Sequence, residues 1–150
     1  MGTIFVLPPA EIETLLGSAL VGRIACWSPD LSDGRPHLVP LAYGYDGEAI
    51  YAHSGPGRKI AIMRTQPLIS FEVDDVQATD RWRSVVAEGT YEEITDHLER
   101  EPALRFIYPE PVPIPPLPSD TIVFRLRLTA KSGRFEVPDS EALPAEDRSL

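Results

Sequence analysis

The sequence predicts a mainly β, α+β fold in which about six antiparallel strands close into a small barrel with short helices at its ends. Three observations carry this. Several runs alternate apolar and polar residues with the period of two that half-buried strands require. These runs follow one another through turn signals, the strongest being Asp46-Gly47 between two of them. The segments with helical spacing are short, and the regular strand–helix alternation of a doubly wound sheet is missing.

Taken in order, Pro8-Pro9 with Glu11 and Glu13 marks a helix start, because proline suits the first helical position and acids its dipole. Ile12, Leu15, Leu16 and Ala19 then share one face. Val21 to Trp27 reads as a strand, and Ser28 to Pro36 as a loop dense in turn formers. From His37 to Tyr45 a single strand is predicted, with Val39, Leu41, Tyr43 and Tyr45 on one face; Glu48 to Ser54 returns from the hairpin. Arg58 to Thr65 reads as a short helix with Ile60, Met63 and Arg64 near one side. Leu68 to Val73 is a strand and Asp74 to Asp80 a polar loop. Trp82 to Ile94 is a long strand, where Gly89 marks a bulge or bend. Thr95 is the predicted N-cap of a further helix. Pro109 to Pro118, with proline at six of ten positions, reads as an extended connector. In the closing strand Ile122, Phe124, Leu126 and Leu128 face one way and Arg125 and Arg127 the other. One domain over residues 1–137 is expected, with an acidic, fraying tail at 138–150.

The 150 residues suit a single domain with a real core. A net charge of −9, with cations scattered singly or in pairs, argues against nucleic-acid partners. No apolar run approaches the roughly 20 residues of a membrane span, and the N-terminus has no basic region of the secretory kind. Cys26 is the only cysteine, so no internal disulfide forms and a cytoplasmic location is expected; in GRIACW it reads as a small buried hydrophobe.

The chemistry concentrates in HSGPGRK, His53 to Lys59. It lacks the spacing of a phosphate-cradling P-loop and of a dinucleotide fingerprint. His37, His53 and His97 have no metal-ligand spacing, and Ser54 beside His53 is no evidence for a triad. An anion nest is compatible: a strand ends, two glycines turn the chain, and free N–H groups open a helix carrying Arg58 and Lys59. Arg58 can fork a phosphate, Lys59 adds a point charge and Ser54 a hydroxyl. A surface turn with two solvated cations fits the same residues. Pro40 adds a second clue, because proline inside a strand belongs at an edge or bulge and leaves the backbone of Leu41 and Ala42 free for a flat heterocycle.

The order LVGRIACWSPD, GRPHLVPLAYGYDGEAIYAHSGPGRKIAIMRTQPLISFEVDD, WRSVVAEGTYEEI and FRLRLTAKSGRF resembles the pyridoxamine 5′-phosphate oxidase-like flavoproteins, nearest to the nitroimidazole-resistance (Nim-like) subgroup. The similarity runs from about Glu11 to Phe135. It implies an FMN-binding split β-barrel that works as a homodimer with flavin at the subunit interface. By this match Val39, Pro40, Leu41 and Ala42 form the strand beneath the isoalloxazine ring. Tyr51, Ala52, His53 and Ser54 approach the ribityl chain and phosphate, Arg58 and Lys59 bind that phosphate, and Trp82, Arg83 and Ser84 reach the flavin from the second subunit.

The resemblance implies an FMN-dependent oxidoreductase acting on a small planar or nitro-type compound, with NAD(P)H as a candidate donor. A non-catalytic flavin-sequestering module and a related barrel using haem or a deazaflavin are the alternatives. No catalytic acid or base is assigned. His37, His53 and Tyr43 are candidates for substrate contact, with structural roles expected to dominate. The chain ends in SGRFEVPDSEALPAEDRSL, which has no counterpart of the basic and aromatic segment that holds the vitamin phosphate in the classical oxidases, so pyridoxamine 5′-phosphate is expected to be a poor substrate.

Overall fold

The computed structural model describes residues 2–142. Its strands are β1 (Gly2–Val6), β2 (Val21–Cys26), β3 (His37–Ala42), β4 (Gly44–Tyr45), β5 (Ala49–Ser54), β6 (Leu68–Ala78), β7 (Arg81–Glu93) and β8 (Ile122–Pro138). The helices are α1 (Pro9–Ser18), α2 (Arg58–Thr65), α3 (His97–Ile107) and the single turn α4 (Asp139–Ala142). All strands join one antiparallel sheet in the order β3-β2-β6-β7-β8-β5-β4, with β1 on the far half of β8.

That order forces the sheet to curl. Laid flat, β3 and β4 would lie about 30 Å apart at about 4.8 Å per strand, yet only Tyr43 separates Ala42 from Gly44. Two virtual bonds span less than about 8 Å, so the two ends of the sheet must come together. β3 and β4 do not pair side by side, and the seam stays open. The result is a split barrel.

The inward residues are those the period-two reading selected. Val39, Leu41, Tyr43 and Tyr45 all join the barrel core with Ile24, Phe71, Val85, Phe124 and Leu126. α1 closes one end with Ile12, Leu15 and Leu16. β5 is buried on both faces, because its outer side packs Ala49 and Tyr51 against α3 and the proline-rich connector in a second cluster with Ala103, Leu104, Ile114 and Leu117.

Four features differ from expectation. The strand count is eight rather than six, because the run 37–45 breaks at Tyr43 and because β1 was not predicted. The polar stretch after Val73 continues as strand: Asp74 and Asp75 pair with Ser84 and Arg83, and their charges meet Arg23 and Arg83. Asp96, not Thr95, caps α3, accepting from the Leu98 N–H at 2.9 Å. On α2 it is Ile62 that is buried with Ile60 and Met63, whereas Arg64 lies outside and binds Glu93. Gly89 does sit at a register shift against β8, where an added Cβ would come 2.5 Å from the Arg127 carbonyl oxygen. Of the expected tail 138–150, Pro138 closes β8, 139–142 form α4 and 143–150 lie outside the described residues. No helix among the described residues is long and apolar enough to cross a membrane, and none of their side chains cluster as a metal site.

Candidate functional site

β5 ends at Ser54, Gly55-Pro56-Gly57 turns the chain, and α2 begins at Arg58. The N-cap is Gly57, which offers no side chain, so the first N–H groups of α2 have no cap. A Cβ added at Gly55 or Gly57 would meet nothing within 4 Å, so the space over the turn is open. Arg58 is exposed there; its Nε donates to the Leu31 carbonyl at 3.2 Å and its Nη2 to Asp33 Oδ2 at 3.0 Å. Lys59 is half-buried and makes no hydrogen bond or salt bridge with the described residues. Ser54 Oγ donates to the Gly55 carbonyl at 2.8 Å. An uncapped helix start beside an open glycine turn, with two cations and a hydroxyl flanking it along the chain, fits a phosphate monoester.

The rest of the predicted set divides in three. Val39 and Leu41 point toward the core, while Pro40 and Ala42 lie exposed on β3. β3 is an edge strand, as Pro40 required, so its outer backbone edge is available to a planar partner. Tyr51 and Ala52 are buried. Tyr51 stacks on Phe106 at 4.8 Å and donates to Asp46 Oδ2 at 2.8 Å. Ligand contact from these two positions is therefore a matter of backbone. His53 sits 2.6 Å from the Tyr108 hydroxyl with the rings stacked at 5.8 Å. Burial, and after it the charge of Arg100, holds its imidazole below the usual range.

Trp82, Arg83 and Ser84 lie elsewhere. His53 pairs with Val123 and Arg83 with Phe135, twelve residues further along β8; at about 3.3 Å per residue that is about 40 Å of strand. At that end Trp82 Nε1 donates to Glu136 Oε2 at 2.6 Å, Arg83 binds Asp75 at 3.2 Å, and Arg81 is clamped by Glu141. Two lone groups are structural. The Tyr43 hydroxyl is buried, donates to the Leu16 carbonyl at 2.5 Å and has its ionisation pushed up by burial. Cys26 is buried too, and burial outweighs the nearby Lys59 in raising its thiol. Neither has the character of a reactive nucleophile.

Sequence reasoning missed Tyr108 and the loop pocket of about 450 Å³ formed by Ser32, Asp33, Arg35, Pro36, His37 and Arg58. Asp33-Gly34 is a turn dipeptide, and both residues adopt positive φ, 52° and 71°. It told of a turn, but not that the turn would face α2.

The sequence profile described as pyridoxamine 5′-phosphate oxidase matches residues 8–135. The chain belongs to the pyridoxamine 5′-phosphate oxidase family. Within that fold it is similar to the crystal structure of an FAD-binding protein from Mesorhizobium loti, at 35% identity and a TM-score of 0.72, covering 88% of this chain and 97% of that one. A candidate 5-nitroimidazole antibiotic resistance protein from Bacteroides thetaiotaomicron has the same fold, with a TM-score of 0.75 at 21% identity over 90% and 89% of the two chains. An uncharacterized protein of Rhizobium meliloti (strain 1021) is 32% identical over 89 residues; the match spans 59% of this chain and just over half, 56%, of that relative.

Proposed function

We propose that the protein is a flavin-dependent oxidoreductase of a small planar compound, with a flavin nucleotide seated by its phosphate on the start of α2. The observation that carries this is the uncapped α2 N-terminus, open over Gly55 and Gly57, with Ser54 before the turn and Arg58 and Lys59 after it. The free edge of β3, at Pro40 to Ala42, would meet the ring, and the strand end at His53-Ser54 the ribityl chain. FMN is the cofactor that these residues need to explain. FAD carries the same phosphate, and the Mesorhizobium loti relative, described as FAD-binding, favours it as the second reading. Bound flavin supplies hydride or single-electron chemistry, and the chain's own residues bind, orient and shield it.

The Trp82 to Ser84 group supports a homodimer reading. It is too far along β8 to share a ring with His53 and Arg58 of its own chain, so a partner subunit would bring it to the flavin. We read the protein as cytoplasmic, taking NAD(P)H as its donor.

The absorption spectrum of the purified protein tests the cofactor: flavin bands are expected, and a Soret band or featureless spectrum would refute it. Anaerobic addition of NADPH or NADH should then bleach those bands, with reoxidation by a nitroaromatic acceptor. Flavin that stays oxidised with both donors would leave a flavin-sequestering module.

A further inference from the structure

The seam of the barrel, where β3 gives way to β4 at Tyr43, holds a cavity of about 290 Å³ between the C-terminal ends of α1 and α3. Gly44 lets α3 come this close. A Cβ there would lie 2.0 Å from the Phe106 carbonyl oxygen, so only glycine allows β4 to lie against the end of the helix. Two of the lining side chains are large, apolar and open to solvent, Leu20 at 79% exposure and Phe106 at 43%. Phe106 stacks on Tyr51 at 4.8 Å, which holds its ring in place while part of it stays free for a ligand.

The carbonyls of two lining residues are already satisfied: Leu16 accepts from the Tyr43 hydroxyl at 2.5 Å and Leu20 from the Tyr43 N–H at 3.2 Å. Arg105 is the only charged residue that lines the cavity. Its Nη1 donates to the carbonyls of Val112 at 2.9 Å and Tyr108 at 3.5 Å, while Nε and Nη2 have no partner among the described residues. Arg58, Arg64 and Arg81 are each paired with a carboxylate. Arg105 is instead held by backbone oxygens, which position the guanidinium and leave its charge uncompensated. A free guanidinium edge beside an exposed ring, with no acidic side chain around it, selects an anion on a flat apolar body. The volume is near the lower bound of about 300 Å³ for small-molecule sites, which suits one or two fused rings and not a whole cofactor.

We propose that the seam cavity binds a small aromatic carboxylic acid, with its carboxylate on Nε and Nη2 of Arg105 and its ring against Phe106 and Leu20. The free edge of β3 at Pro40 to Ala42 runs directly into Tyr43, so an acid bound here lies beside the ring proposed for that edge, as a substrate would. That placement alone rests on the flavin reading; the binding does not.

Calorimetric titration of the full-length protein with 2-naphthoate and with its uncharged amide tests it. The acid should bind about tenfold more tightly than the amide, the difference between a charge-assisted and a neutral contact. Arg105→Gln should remove that difference by weakening the acid alone. Acid and amide weakened in equal measure would mean that Arg105 only supports the connector, and would overturn the carboxylate placement. Leu20→Asp, at a position exposed enough to spare the fold, should weaken the acid more than the amide through like-charge repulsion. An acid that binds this variant as well as it binds wild type would overturn the location. Acid and amide binding wild type equally, or neither binding, would overturn the proposal as a whole. Flavin-loaded and flavin-free protein separate the two readings. Acid affinity retained without flavin marks the cavity, whereas affinity that needs flavin marks stacking on the cofactor and overturns the proposal. Protein that takes up no flavin would refute the flavin reading, and the same titration would still decide this one.

Discussion

Arg81 and Arg83 are the cations nearest the end of the sheet where Trp82 lies, and both are already neutralised by carboxylates, Glu141 and Asp75. Recognition of a vitamin phosphate there would have to draw on Arg134, opposite Ser84 and bonded to the Gly133 carbonyl, or displace an existing ion pair, and would bring a dianion among Glu136, Asp75 and Glu11. Pyridoxamine 5′-phosphate should therefore give aldehyde near background with flavin-loaded protein and oxygen; robust turnover that disappears in Arg81→Ala would show the reverse. His53 carries a pH signature. Its folded-state pKa is depressed, by burial first and Arg100 second, from the usual 6.5. Just below that value the unfolded chain binds more protons than the folded one, so stability is intact above it and is lost as pH falls through it. Urea midpoints at about pH 7.5 and about pH 5.5, on either side of the imidazole range, should drop more for wild type than for His53→Gln. Equal drops would mean that His53 is not the titrating group.

The elements show where sequence signals suffice and where partners decide. The bounds of α2 were legible because two glycines precede it and an apolar run follows, but its inner face was not, since Ile62 and not Arg64 joins Ile60 and Met63. The bulge at Gly89 was legible because glycine inside a strand has few other uses. Its cause is steric: an added Cβ would lie 2.5 Å from one backbone atom and 3.1 Å from another. Gly89→Ala should cost about 2 kcal/mol or more, the range for core overpacking, read as a lower denaturant midpoint at unchanged slope; a midpoint equal to wild type would show that the bulge absorbs the methyl group. The outer half of β6 was not legible. Asp74 and Asp75 look like loop residues until Arg23, distant in sequence, and Arg83, across the hairpin, are seen to pair with them. β1 was hidden for a similar reason, since four of its five residues are exposed and its reason for being a strand is the far end of β8.

For the whole molecule, the strands and the glycine turn before α2 could be read from local pattern, since each lies within a short stretch of chain. The split in the barrel could not, because it depends on Tyr43 carrying the chain from one end of the sheet order to the other. The loop pocket was also illegible, because it forms only when residues 32–37 fold over Arg58. The separation of Trp82 to Ser84 from His53 along β8 makes the functional unit a homodimer in this reading. Sedimentation should show a dimer that loses flavin on dissociation; a stable monomer retaining flavin would remove the partner from the site. The central claim is that a flavin nucleotide is held by its phosphate on Arg58 and Lys59. Its most direct test is the dissociation constants of FMN and riboflavin for wild type and for Arg58→Ala/Lys59→Ala. Charge-assisted contacts contribute about 1.5–3 kcal/mol each, and at the lower end, apt for an exposed guanidinium, two of them amount to about a hundredfold. FMN should bind wild type far more tightly than riboflavin does, and the double variant should lose about that factor for FMN and nothing for riboflavin. FMN binding left unchanged in the double variant would contradict the claim.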